Sequence, residues 1–452
     1  MSSEWTYVLD VTFLSLFLGI ALYIKRTVKF FQKYLVPTSI IAGFIGMILG
    51  PDILNIVKLD SDRLGNIIYH LMAVGFIALA LKERSRDKSK SVVNTGFLIV
   101  STYIIQGILG FAISLFLFYT FFPNLFPPFG LLLPLGYGQG PGQAYSIGRQ
   151  WEELGFSHGG NIGLSIAALG FIWACIGGIP LMNYLVKKKK LQPSESDDGS
   201  VKELVHEVDT PDDMPLSDSI DRISVQLFMI GIVYLVTYLT LRGLSSILMN
   251  FGTFGKNLAL LLWGFNFIIG SLYAILLRVI LDFFKRKNIL IRNYPNNFLL
   301  QRIAGGSFDF MVTASISAIS LKILGEYLVP IILVSTLGGI LTILYIVVLS
   351  KRVYKKEILE NLLALYGMLT GTISTGLALL REVDPNFKTQ AAKNLVLGSG
   401  VGLFVGFPLM VILNIPVVGY TSHRPVMYAI AMGALAAYLA AVLIFLRFNR
   451  EK

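Results

Sequence analysis

Two short stretches of this chain can bring bare backbone against a ligand in an apolar setting. The first runs Gly136-Tyr137-Gly138-Gln139-Gly140-Pro141-Gly142-Gln143-Ala144-Tyr145-Ser146 behind the apolar lead-in Leu131–Leu133. Its alternating glycines cannot hold a stable helix. The second, Leu365–Gly376, packs Gly367, Gly371 and Gly376 among Thr370, Thr372, Ser374 and Thr375. An unpaired backbone group in hydrocarbon costs about 4–8 kcal/mol on an apolar transfer scale, so irregular chain at depth must be covered by protein or line a wet cavity. There, free N–H groups can hold a carboxylate, and carbonyls and hydroxyls can hold Na⁺. Candidate substrate ligands are therefore Gly138, Gln139, Gly140, Gly142, Gln143 and Ser146 from the first stretch. Thr370, Gly371, Thr372, Ser374 and Thr375 are those from the second. Two plainer readings compete: a Gly/Pro loop on the membrane surface for the first, and small-residue helix packing through Gly367-xxx-Gly371 for the second.

Other polar groups flank these stretches. Arg149 can pair with a substrate carboxylate as a bidentate donor, or anchor the end of its segment at the interface. Thr313, Ser317 and Ser320 share one helical face, suited either to an ion path or to bonding neighbouring backbone. Asp309 is an acid at the edge of an apolar run, functional if intramembrane and unremarkable at headgroup level. With Asn161 and Ser165, we take Asp309, Thr313 and Ser317 as candidate sodium ligands.

These residues need a scaffold of membrane helices. Of 452 residues, 54% are hydrophobic and only 14% charged, against about 25% charged in an average soluble domain. A water-facing surface cannot be covered with so few charges, which excludes a soluble enzyme, a secreted domain and a nucleic-acid-binding module. Eleven apolar stretches approach helix length: 7–24, 34–49, 67–81, 96–122, 163–186, 225–241, 258–279, 308–324, 328–349, 395–418 and 426–446. With the N-terminus outside, 31 of the 38 Lys and Arg fall on the cytoplasmic side. That bias survives only if 131–146 and 359–380 enter and leave on one face, as re-entrant segments. The polar segment 187–222, with ten acids and six bases, reads as a cytoplasmic linker.

The expected architecture is thus an all-α polytopic membrane protein. An N-terminal half, 1–186, carries five spans and one re-entrant segment. A C-terminal half, 223–418, repeats this, and 419–452 adds an eleventh span with a cytoplasmic tail. An odd number of spans per half gives the halves opposite topology, as in inverted-repeat transporters. Gly140 and Gly371 are each followed sixteen residues later by phenylalanine, at Phe156 and Phe387, a small further hint of repetition. The N-terminus has no basic run ahead of its apolar stretch, so the first span is expected to be retained. The single cysteine, Cys175, and four scattered histidines offer no disulfide framework or metal spacing. No Gly-x-x-x-x-Gly-Lys-[Ser/Thr] loop is present, and no plausible acid/base or nucleophile set lies in the membrane. No enzymatic activity and no cofactor are expected, and an ion gradient becomes the expected energy source. The +11 net charge follows from cytoplasmic loops rather than from a nucleic-acid partner.

At its glycine-rich segments the chain resembles the bacterial sodium/glutamate symporter family. The likeness is best over 138–187: Gly-x-Gly-x-Gly-x-Ala-[Trp/Tyr]-Ser, then Gly155-Phe156, then Gly177-Gly178-x-Pro180 and Tyr184-Leu185-Val186-Lys187. Gly367–Thr375, Leu321-Lys322, and Tyr34-x-Val36-Pro37 with Ala42-Gly43 match more weakly, and the eleventh span lies outside the usual ten. The resemblance implies Na⁺-coupled uptake of L-glutamate through the inner membrane. It also implies two hairpins meeting at the site, a homodimer and an elevator-like motion. This chain departs at the tips. Gln139 stands where the family has His, Pro141 where it has Thr, and Gln143 replaces a small residue. Ser374 stands for Pro, and Leu379-Leu380 for Asn-Met. Those changes keep two rivals open: a symporter of another carboxylate (a dicarboxylate or hydroxyacid, driven by Na⁺ or H⁺), and a channel lined by the hairpins.

Overall fold

The computed structural model describes residues 3–33, 36–82, 89–187, 216–287, 295–385 and 387–449. Most of the expected linker, including Lys188–Lys190, lies outside them. Among the described residues every regular element is helical. The principal helices are α1 (Ser3–Thr27), α2 (Thr38–Leu49), α3 (Ser61–Leu81), α4 (Lys90–Thr120), α5 (Pro141–Glu152) and α6 (Gly159–Lys187) in the first half. The second half holds α7 (Leu216–Leu248), α8 (Gly252–Trp263), α9 (Asn266–Arg286), α10 (Asn297–Ser317), α11 (Leu321–Glu326) and α12 (Leu328–Val353). It continues with α13 (Ile358–Leu369), α14 (Ile373–Arg381), α15 (Ala391–Val405), α16 (Phe407–Thr421) and α17 (Val426–Phe448).

Among the described residues, eight helices are long and apolar enough to cross a membrane, and α15–α16, bent by 48°, makes a ninth span if the pair crosses as one. Three expected stretches take another form. The second is the 12-residue α2, which begins just after Pro37 and ends before Gly50. The eighth is divided between the last ten residues of α10 and the short α11, with a break at 318–320; α10, whose 21 residues include Gln301, Arg302 and Asp309, packs against α2 and α3. The expected 258–279 stretch is interrupted at Gly264-Phe265, where α8 stops and α9 starts; α8 lies against α5 and α16. Helix α7 begins at Leu216, inside the segment read as linker.

The surface is apolar and the interior holds the polar groups. Leu16, Phe116, Leu235, Val279, Leu344 and Ile444 are exposed, while Asn94, Thr102, Gln106 and Thr342 are fully buried. That distribution suits a lipid solvent, in which buried polar groups must find partners inside the protein.

The helices form two sets. In one, α3 packs on α10 and α9, α10 on α2, α1 on α2, and α7 on α9. The halves contribute equivalently: α3 meets α9 as α10 meets α2, and α1 covers α2 as α7 covers α9. The other set gathers α4, α6, α12 and α15 around two broken hairpins, and α17 packs along α4. Phe97 stacks on Phe445 at 3.8 Å, and Asn94 and Asn449 bond each other through side chain and backbone.

Close packing within the second set depends on glycine. Gly110 of α4 and Gly130 approach so tightly that a Cβ on either would fall on the other's carbonyl. Gly110→Val should push α4 away from 127–131 and destabilise the protein by about 1–3 kcal/mol. An unchanged thermal-unfolding midpoint in detergent would contradict this packing.

Candidate binding site at the hairpin tips

The first hairpin descends along α4. Ser114 Oγ donates to the Pro127 carbonyl at 2.6 Å, Gly110 meets Gly130, and Tyr103 Oη donates to the Gly138 carbonyl at 2.8 Å. Residue numbers fall on α4 as they rise on the hairpin, so this first leg is antiparallel to α4. It passes from a 3₁₀ turn (Pro127–Leu131) through Leu132–Pro134 to a π-helical turn (Leu135–Gln139). The chain then breaks at Gly140, with φ +97° and ψ 172°, a backbone that only glycine adopts freely. The return leg, α5, runs antiparallel to α6: Ala144 faces Gly163, and Gly148 faces Gly159 and Gly160. The first leg therefore starts beside the C-terminal part of α4 and the return leg finishes beside the N-terminal part of α6, with the tip about halfway along each.

Helices α13 and α14 form the second hairpin. Gly367 faces Thr375 and Gly376, and Gly376 faces the Ala364 carbonyl, so the legs pack backbone to backbone around the turn at Thr370–Thr372. The two tips meet at Gly170 of α6. Its Cα hydrogens face both the Thr370 carbonyl and the Tyr137 ring.

Side chains from surrounding helices hold the tips. Tyr137 Oη donates to the Ser335 carbonyl at 2.7 Å, and Tyr366 Oη to the Trp173 carbonyl at 2.6 Å. Gln106, one turn beyond Tyr103 on α4, donates from Nε2 to Thr342 Oγ1 at 2.9 Å and to the Leu369 carbonyl at 3.0 Å. Helix α4 thus holds a carbonyl at the end of each hairpin's first leg, where the last helical carbonyls lack partners within the helix.

The opposite poles are the starts of α5 and α14. Pro141 occupies the first turn of α5, which suits its fixed φ, and no side chain caps that helix. Nothing lies within 4 Å of where a Cβ on Gly140 would stand. Thr372 caps α14, its Oγ1 accepting from Thr375 N at 3.5 Å, and Ser374 is exposed on the first turn. Anions are favoured at such N-termini.

The candidates are thus partly convergent. Gly138, Gln139, Gly140 and Gly142 sit at or beside the first tip, and Thr370, Gly371, Thr372, Ser374 and Thr375 at the second. Gln143 and Ser146 lie further along α5, buried, with Oε1 and Oγ unpaired among the described residues. Arg149 is in the last turn of α5, away from the tip, paired with Glu152 and at 3.3 Å with Asp62 of α3.

The sodium candidates do not converge. Thr313 Oγ1 and Ser317 Oγ each reach an α2 carbonyl, of Ser39 and Gly43, at 3.3 Å, and so serve helix packing. Ser165 bonds back to the Asn161 carbonyl, and Asn161 Oδ1 accepts from Ser320 N at 3.2 Å. Asp309 lies beside Ser39 at the start of α2, within electrostatic reach of Lys25. Ser317 and Ser320 also line a cavity of about 60 Å³ with Asp52 and Ser61, beyond the end of α10. Among the described residues no three His, Cys, Asp or Glu side chains cluster to hold a metal ion.

Sequence reading overlooked Tyr103, Gln106 and Gly170. Gln106 carried the one usable signal, an amide within Ile104-Ile105-Gln106-Gly107-Ile108.

The profile of the sodium/glutamate symporter family matches residues 3–374. The chain belongs to the sodium/glutamate symporter family. The match runs from α1 through both hairpin tips and stops at Ser374, leaving α15–α17 beyond it. No curated protein matches the chain. Membership makes the chain a multi-pass membrane transporter that couples solute to sodium at the level of the family.

In this symporter the contact between tips is set by the bare Cα of Gly170. Gly170→Leu should abolish Na⁺-driven glutamate uptake. Gly231→Leu, at an open position on α7, should retain it. Equal activity of the two variants in proteoliposomes would rule out a tip contact that matters.

Proposed function

We propose that the protein carries L-glutamate, or a closely related anionic amino acid, into the cell together with Na⁺. The observation that supports this most is the pair of interrupted hairpins whose tips meet at Gly170, one of them opening at Gly140 onto the uncapped start of α5. A substrate carboxylate fits the free N–H groups of Gly142 and Gln143, and the exposed Ser374 hydroxyl and Thr372 supply donors from the other tip. A cation fits the carbonyl-rich ends of the first legs. Each Na⁺ moving inward gains about 2.3 kcal/mol per 100 mV, so more than one per substrate can drive accumulation of an anion. Catalysis has no place in this scheme, and Na⁺ serves as coupling ion rather than cofactor.

The same reading assigns the hairpins as re-entrant and the halves as inverted. It places the N-terminus outside, with the 187–222 segment and the C-terminus in the cytoplasm of an inner-membrane homodimer. Movement is proposed between the two helix sets. Their contact along α5 is smooth: Gly142 lies between Met72 and Met311, and Tyr145 covers Gly65. Glycine and methionine at a sliding surface leave few directional bonds to break. Arg149–Asp62 and Asn161–Ser320 are the polar links that such motion must release.

Labelled L-glutamate uptake into proteoliposomes, under an inward Na⁺ gradient and then an equal K⁺ gradient, tests this reading. Saturable uptake with Na⁺ alone, and counterflow, is the expected result. Folded protein with no uptake in either gradient would move the search to dicarboxylates and hydroxyacids. Non-saturable flux would instead point to a hairpin-lined channel.

A further inference from the structure

Gln106 is fully buried on α4, and its amide is oriented without ambiguity. Leu369 presents only a carbonyl oxygen, so the group facing it at 3.0 Å must be Nε2. Thr342 Oγ1 already donates to the Gly338 carbonyl at 2.7 Å, so it too must accept from Nε2. Both amide hydrogens are then used. Oε1 is left with no hydrogen-bond partner among the described residues. Buried acceptors are costly to leave unpaired and are normally satisfied.

The surroundings favour one kind of ligand. Amide geometry keeps Oε1 within about 5 Å of the Leu369 carbonyl oxygen. That carbonyl belongs to the last turn of α13, the negative pole of the helix. One turn back on α4, Tyr103 holds the Gly138 carbonyl of the other tip. Oxygens from a side-chain amide and helix C-terminal carbonyls are hard, neutral donors suited to a monovalent cation, and repel a carboxylate.

We propose that Gln106 Oε1 is a ligand for a cation held between the hairpin tips. Two sources share that chemistry, the coupling Na⁺ and the ammonium group of the amino-acid substrate. This rests on the transport reading above and assigns the positive member of the cargo to α4. None of the residues singled out from sequence supplies this oxygen.

The test compares Gln106→Glu with Gln106→Met in the full-length protein reconstituted in liposomes. A cation ligand gains from the carboxylate. In Gln106→Glu the half-saturation for the cation should stay at or below the wild-type value, while in Gln106→Met it should rise about tenfold or more. If the ion is Na⁺, the Na⁺ half-saturation at saturating glutamate carries the change. If it is the ammonium, the glutamate KM carries it, and inhibition by glutarate, which lacks the amino group, is unchanged. A residue that merely positions the second tip gives the opposite order, because Gln106→Glu sets a carboxylate against the Leu369 carbonyl. That order, or unchanged constants in both variants, overturns the proposal while wild-type Na⁺-driven uptake keeps the transport reading intact. Absence of wild-type uptake overturns the reading and this proposal with it. Should the Gln106 variants fail to fold, Thr342→Val decides. It keeps Oε1 and removes a bond that only positions Gln106, so Na⁺ half-saturation and KM within about twofold of wild type support the ligand role. A loss as large as a binding defect overturns it.

Discussion

A chain interrupted inside hydrocarbon must find, from its own protein, every hydrogen bond that the missing helix no longer makes. Most of this structure can be understood as the answer to that demand at two places. Where the first hairpin ends at Gly138, Tyr103 supplies the missing donor; where α13 ends at Leu369, Gln106 does. These two side chains sit one turn apart on α4, so a single uninterrupted helix registers both tips against each other. Helices α6 and α12 complete the brace by taking Tyr366, Tyr137 and Gln106 onto the carbonyls of Trp173 and Ser335 and the Thr342 hydroxyl. Glycines at 110, 130, 163, 170 and 376 then serve a common end: they let backbone come near enough for those bonds to form.

How much of this was legible beforehand depended on the kind of signal. Helix-length apolar runs announced a membrane protein, and the glycine rhythm around Gly140 and Gly371 marked both breaks to within a few residues. Those signals are local, and composition alone carries them. The break at Gly264-Phe265 was not readable, because α8 and α9 are continuous in hydropathy and are separated only by how α8 packs on α5 and α16. The polar 216–222 segment could not announce a helix either, since α7 gains its apolar face only further along.

Site residues divided along the same line. The backbone candidates do lie at the breaks, because glycine itself marks where the helix is interrupted. Thr313 and Ser317 looked like a ligand face, but the α2 carbonyls that occupy them come from another part of the chain. Arg149 has the right chemistry for a carboxylate, yet seven residues of α5 separate it from Pro141, and Asp62 and Glu152 take its guanidinium. Tyr103 is an ordinary aromatic in an apolar helix until the hairpin folds against it.

Helix α17, beyond the residues that the family profile matches, is fastened to α4 by the Phe97–Phe445 stack and the Asn94–Asn449 pair. Whatever displacement α4 undergoes with the tips, the carboxyl-terminal helix must share. The carboxyl-terminal end of α17 is therefore a handle on the helix set that the proposed motion would carry. Under that proposal a fluorophore attached there would travel with the hairpins, while one on α1 would stay with the other helix set. The distance between the two labels would then read out the transport cycle directly, one protein at a time.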